Sequence, residues 1–161
     1  MVKKEGKKAV IGGTFEILHP GHKALLKRAF KLGRVTIGLT SDAFARKLKK
    51  RKVKNFKLRK KELTGFIESQ KRRGKALAKI VKIENRFGPT LRQNFDYIVV
   101  SPETYETALL INRNRQKTNK KPIKIIKIKF VLDKDGKPFS STAQLARYKK
   151  NPDRQDVRNN Q

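Results

Sequence analysis

KAVIGGTFEILHPGHKALLKRAFKL, residues 8 to 32, joins a short apolar run, two glycines, the chain's two histidines and an amphipathic stretch. The run KAVIGG (8–13) predicts a strand. PGHKALLKRAFKL (20–32) predicts a helix with the apolar stripe Ala24, Leu25, Leu26, Ala29 and Phe30. Gly12 and Gly13 close the strand with residues that tolerate positive φ and let a ligand approach the backbone. Pro20 suits the first helical position, where its missing N–H would have no partner in any case. His19 is then the expected N-cap, and the N–H groups of Gly21 and His22 leave the positive end of the helix dipole. The result is a phosphate cradle flanked by two imidazoles. Imidazole suits a phosphoryl group that gains charge in a transition state, because it donates a directed hydrogen bond. Shared metal ligation by His19 and His22 is the weaker reading, since the chain has no cysteine and the nearest acid is Glu16.

Outward from this unit the chain alternates. A second strand is expected at 34–40, a basic loop at 46–57, a helix at 58–72 with Leu58, Leu63, Phe66 and Ile67 inward, and a stop at Gly74. Strands follow at 76–83 and 96–101, separated by the turn-rich NRFGPT. A helix over 102–116 is capped by Ser101 and opened by Pro102, and the longest strand spans 122–132. The DKDGKP turn leads to a short helix in FSSTAQLARYKK (139–150). Such alternation predicts an α/β fold: a Rossmann-like, doubly wound parallel sheet of about five strands in one domain, residues 1–150, with a polar, mobile tail at 151–161. Ligands of such sheets bind beyond the carboxyl ends of the strands. GGTFEILHPGH, LTSDAFARK, VSPETY and SST are therefore expected to meet there. Asp42 in LTSD is expected to cap a helix.

Composition narrows the classes. The 161 residues hold 43 Lys and Arg against 13 Asp and Glu, a net charge of +30, so the chain attracts anions. The basic residues are spread along it, apart from RKLKKRKVKNFKLRKK at 46–61, and the nine Phe and three Tyr fall mostly at positions that read as core, with no Trp. Nucleic acid is thus expected to bind only non-specifically. No run approaches the roughly 20 apolar residues of a membrane span, and no apolar signal region opens the chain, so a soluble, cytoplasmic protein is expected.

GGTFEILHPGH resembles the GGTFDxLHxGH signature of the nucleotidylyltransferase superfamily. From residue 8 to about 148, through HKALLKRAF, VTIGLTSD, FGPT, VSPETY, INRNR and DGKPFSST, the chain is similar to the archaeal phosphopantetheine adenylyltransferases. These are related to the adenylyltransferase domain of eukaryotic coenzyme A synthase. The resemblance implies transfer of the adenylyl group of ATP to 4′-phosphopantetheine, giving dephospho-coenzyme A and pyrophosphate, with Mg²⁺ accompanying ATP. It implies that His22 contacts the α-phosphate and His19 the triphosphate. The loop Gly12, Gly13, Thr14 and Phe15 would hold nucleotide and phosphate, with Thr14 also facing the acceptor. Ser140, Ser141 and Thr142 would grip the β- and γ-phosphates, Arg113 would be a phosphate or adenine-side contact, and Lys47 or Lys49 would meet the acceptor phosphate.

Two departures stand out. Glu16 occupies a position where the family usually has Asp. Where archaeal members commonly read ISSTRIR, this chain reads FSSTAQLAR, so the expected basic residues fall on Ala143 and Leu145 and leave Arg147 as the nearest replacement. A flavin mononucleotide adenylyltransferase, a glycerol-3-phosphate cytidylyltransferase, and a non-catalytic basic nucleic-acid-binding domain are the alternatives.

Overall fold

The computed structural model describes residues 6–150. The tail expected from 151 lies outside them. Five strands, β1 (Lys8–Gly13), β2 (Arg34–Thr40), β3 (Ala78–Ile83), β4 (Tyr97–Val100) and β5 (Lys124–Lys127), form one parallel sheet in the order β3-β2-β1-β4-β5. The chain winds from β1 out to β3, then returns to the other side of β1. The switch point therefore lies between β1 and β4, directly beyond the two glycines of β1.

Alternation along the strands separates two cores. Ala9 and Ile11 of β1, with Val35, Ile37 and Leu39 of β2, pack on Leu25 and Leu26 of helix α1 (Pro20–Phe30) and on Leu63 and Ile67 of α3 (Phe56–Arg72). Val10, Ile98 and Val100 face the opposite way, onto Ala108 and Ile111 of α4 (Tyr105–Lys117). Fully burying a side chain such as Leu26 or Ile37 contributes roughly 1.5–3 kcal/mol. With helices on both faces, only the strand ends remain open to a ligand.

Several boundaries differ from those expected, each for a local reason. Helix α2 (Asp42–Lys49) takes in the first four residues of the loop expected at 46–57 and is capped by Ser41, whose hydroxyl accepts the Phe44 N–H at 3.1 Å. Asp42 is thus not the cap. Asn55 caps α3, which turns Arg59 inward in place of Leu58; Leu58 is 49% exposed. Helix α4 starts three residues late, because Ser101–Thr104 closes a turn through Thr104 N–H to Ser101 O and Ser101 N–H to Thr104 Oγ1. The expected long strand shrinks to four residues. Its neighbour β4 ends at Val100, so after Ile128 N–H bonds to Val100 O the sheet offers no further partner; Leu132 bridges antiparallel to Pro138 instead, and Phe130 and Leu132 stand exposed. The last helix, α5, runs from Ser141 to Lys150.

Candidate active site

Between β1 and α1 the loop folds back on itself around the histidines. His19 is the N-cap of α1 as expected, and its Nδ1 accepts the His22 N–H at 3.3 Å. The His22 ring stacks on it, with centroids 3.7 Å apart and planes 16° apart, while Nδ1 of His22 lies 2.8 Å from Ile17 O. A carbonyl only accepts, so that nitrogen carries the proton. The two neutral rings are therefore opposite tautomers. His19 is protonated at Nε2 and can donate while neutral, whereas Nε2 of His22 donates only once the ring becomes cationic.

The glycines act by size here, not by backbone angle. The positive φ (46°) belongs to Phe15, and neither Gly12 nor Gly13 has one. Phe15 turns into the core at 1% exposure, 5.0 Å from the His22 ring, so its side chain supports that ring and does not face a ligand. A Cβ on Gly13 would lie 2.9 Å from the Phe15 ring, and one on Gly21 would lie 3.0 Å from His19.

Thr14 is anchored from behind by Arg59. This guanidinium, fully buried, donates from Nη1 to Thr14 O (3.1 Å) and Thr40 Oγ1 (3.2 Å), from Nε to Lys54 O (2.7 Å), and from Nη2 to Asp42 Oδ1 (3.1 Å). Thr40 Oγ1 in turn donates to Thr14 Oγ1 at 3.2 Å, which leaves the Thr14 O–H free to donate outward. Sequence reasoning missed Arg59. The signal was its place in the 59-63-67 inward stripe of α3, where an unpaired charge could not remain.

A second wall comes from α5. Ser140 Oγ accepts the Ala143 N–H (3.1 Å), Ser141 is buried, and Phe139 stacks on His19 with centroids 6.0 Å apart. Arg51, also missed, links this wall to the loop. It grips both carboxylate oxygens of Glu16 (3.3 and 2.8 Å) and donates to Thr142 Oγ1 (3.2 Å). Burial alone would raise the Glu16 carboxyl, but the Arg51 hydrogen bond and charge, the Lys54 N–H and nearby Lys49 outweigh it and hold it below its usual range.

Arg147 does not turn toward this wall. Its guanidinium pairs with Asp133, and more loosely with Asp135 at 3.8 Å, on the preceding turn. Arg113 is exposed, eight residues into α4, a helix that runs back from the strand ends; its neighbours Asn112 and Arg115 fasten the backbone at Ile123 and at Thr90 and Gln93. Of the two candidate lysines, Lys47 is exposed and Lys49 half-buried in the last turn of α2. The charge of Lys49 reaches His19, His22 and Glu16, which sets it beside the cradle.

Burial and the Lys49 charge push His19 from an ordinary value of 6.5 down to about 4. Burial, then the neighbouring His19 and Lys49, push His22 to about 3. Between those values and 6.5 the unfolded chain takes up protons that the folded chain refuses, so stability falls as pH drops through that window. The melting temperature is expected to be level near pH 7 and to decline from about pH 6.5 towards 4. Thermal melts across pH check this, and the double variant His19→Asn, His22→Asn should flatten the decline.

Beside the cradle, a cavity of about 300 Å³ opens at the strand ends, lined by Gly12, Gly13, Thr40, Phe44, Leu48 and the 86–90 turn among others. Among the described residues no helix is long and apolar enough to cross a membrane, and no three His, Cys, Asp or Glu side chains gather to hold a metal.

Residues 10–147 match the family described as cytidylyltransferase-like. The chain is 46% identical over 137 residues to a phosphopantetheine adenylyltransferase of Archaeoglobus fulgidus, covering 84% of this chain and 90% of that one. It is 42% identical over 152 residues to the enzyme of that name from Methanopyrus kandleri, covering 93% and 96%. Among solved structures, an A. fulgidus protein of unknown function superposes with a TM-score of 0.67 at 45% identity, over 75% of this chain and 88% of that one. A pantoate-β-alanine ligase from Francisella tularensis (TM-score 0.57, 14% identity, 89% and 67% covered) shares the fold alone. The chain belongs to the cytidylyltransferase-like family of nucleotidyltransferases and, within it, to the phosphopantetheine adenylyltransferases.

Proposed function

We propose that this chain transfers the adenylyl group of ATP to 4′-phosphopantetheine, forming dephospho-coenzyme A and releasing pyrophosphate. The carrying observation is the stacked histidine pair at the start of α1, next to Thr14 and at the sheet's switch point, in a chain 42–46% identical to relatives of that name. A phosphate oxygen of the acceptor attacks the α-phosphorus, and the new P–O bond forms as the bond to the pyrophosphate oxygen breaks. An ionised phosphate needs no general base, so neutral imidazoles are no obstacle. The protein's work is positioning and charge stabilisation.

In this reading Gly12 and Gly13 admit the phosphates close to the backbone, Thr14 donates its free O–H, and His19 donates from Nε2. His22 takes up a proton as the anion arrives and meets the α-phosphate. Ser140, Ser141 and Thr142 face the β- and γ-phosphates at the start of α5. Lys49 meets the acceptor phosphate, and the adjacent cavity takes the acceptor's arm. Mg²⁺ enters as the MgATP complex, held by phosphate oxygens and water; the nearby carboxylates of Glu16 and Asp42 are engaged by Arg51 and Arg59. The reaction belongs in the cytoplasm.

The test is pyrophosphate release with ATP or CTP, Mg²⁺, and phosphopantetheine, flavin mononucleotide or glycerol 3-phosphate as acceptor. Release is expected with ATP and phosphopantetheine. Release only with CTP, or only with another acceptor, reassigns the enzyme to a sibling reaction, and tight RNA binding with no release at all ends the enzymatic reading.

A further inference from the structure

We propose that Arg51 is the cation that binds the β- and γ-phosphates of the nucleotide, in place of any basic residue at the start of α5. The proposal rests on the adenylyltransferase reading. From Ser140 to Ala146 helix α5 and its cap carry no positive charge, and the first cation, Arg147, is turned onto Asp133 and Asp135. A triphosphate lying across the hydroxyls of that wall would find no counter-charge on α5 itself. Arg51 supplies one from the segment between α2 and α3.

Its geometry fits the task. Nη2 lies 3.2 Å from Thr142 Oγ1, so the guanidinium already occupies hydrogen-bonding range of the group that would share a phosphate oxygen with it. Glu16, only 3% exposed, aligns the other edge of the fork through both oxygens, and is itself fixed by the Lys54 N–H at 3.0 Å. Nη1 also donates to Lys52 O at 3.0 Å. Nε of Arg51 is buried and has no partner, the one side-chain nitrogen or oxygen among the described residues in that condition. An arginine held by a carboxylate on one edge keeps its charge and loses little freedom when an anion meets the other. Exchange of the neutral Thr142 hydroxyl for a phosphate oxygen gives Nη2 a second charged acceptor beside Glu16, and the threonine O–H, which the present bond does not use, can donate to the same phosphate.

The full chain and its variants are titrated with three probes: pyrophosphate, AMP, and a non-hydrolysable ATP analogue. Arg51→Gln is expected to weaken pyrophosphate and analogue binding by about 10- to 100-fold. AMP binding, which lacks the outer phosphates, should stay within about twofold of the parent, and Arg51→Lys should recover part of the loss. Arg147→Gln should leave all three affinities unchanged. A general structural role predicts something else, namely equal loss for AMP and pyrophosphate. That outcome overturns the proposal, as does unchanged pyrophosphate binding in Arg51→Gln or its loss in Arg147→Gln. If Arg51→Gln does not fold, Arg51→Lys with the same three probes decides by the same comparison. Failure of the parent chain to bind ATP or release pyrophosphate would instead refute the adenylyltransferase reading.

Discussion

His22→Ala lowers turnover by about 10²–10³ while leaving the fold intact. The imidazole lies in the first turn of α1, where its main role in the free protein is one hydrogen bond to Ile17 O and a stack on His19. Its loss costs the fold little, because the ring is only part-buried and its hydrogen bond and stack are each modest. Its pKa near 3 in the free site means that it is neutral at pH 7 and that Nε2 holds a lone pair. A triphosphate brings negative charge beside it, which favours the imidazolium and turns Nε2 into a donor just where the α-phosphorus gathers charge. Nucleotide binding to the parent is therefore accompanied by proton uptake, and His22→Ala reduces it. Turnover measured by pyrophosphate release, with calorimetry in buffers of different ionisation enthalpy, checks both parts. Unchanged turnover would remove this histidine from the mechanism.

Arg59→Met destabilises the chain by about 3–5 kcal/mol, which lowers the melting temperature by on the order of 10 °C. Methionine fills much of the volume, so packing is not the main loss. The cost comes from the carbonyls of Thr14 and Lys54 and the hydroxyl of Thr40, which lose a donor where water does not readily replace it. Asp42, half-exposed, regains water and adds less. Because Thr14 belongs to the cradle, the variant should also lose affinity for ATP at temperatures where it remains folded. Arg59→Lys keeps the charge but has one nitrogen in place of three, so it should fall between the two. Thermal melts and nucleotide titration measure these effects, and a melting temperature within about 2 °C of the parent would show that the network is not the anchor described.

Much of this protein is local. The strand KAVIGG, the helix start at His19-Pro20, the second strand and the alternation that makes the sheet parallel are all consequences of periodicity and capping within a few residues. So is the cap of α1, since His19 Nδ1 and the His22 N–H it accepts belong to one turn of chain; that N–H is thereby used within the turn and does not leave the helix end as expected. The elements that went otherwise did so for reasons no short window contains. Strand β5 stops where its neighbour β4 stops, although KIIKIKFVL keeps its apolar character for several residues more. The basic stretch at 46–61 looks uniform in sequence, yet three of its cations have separate fates. Arg59 is buried under Thr14, Arg51 spans two walls, and Lys49 lends its charge to the field around the histidines. Position along a helix decides which face a cation takes, and only packing decides what that face meets.

From sequence alone came the fold class, the expectation that ligands meet the strand ends, and the helix start at His19 and Pro20, because each follows from backbone geometry set by neighbours in the chain. Tertiary structure alone decided that Phe15 and not a glycine takes the positive φ, that Arg147 turns away to Asp133, and that Glu16 holds Arg51 against Thr142. The Arg147–Asp133, Glu16–Arg51 and Arg51–Thr142 bonds join residues 14, 35 and 91 positions apart. A hydrogen bond over such a separation depends on how the sheet brings its loops together, and no periodicity in the chain encodes it.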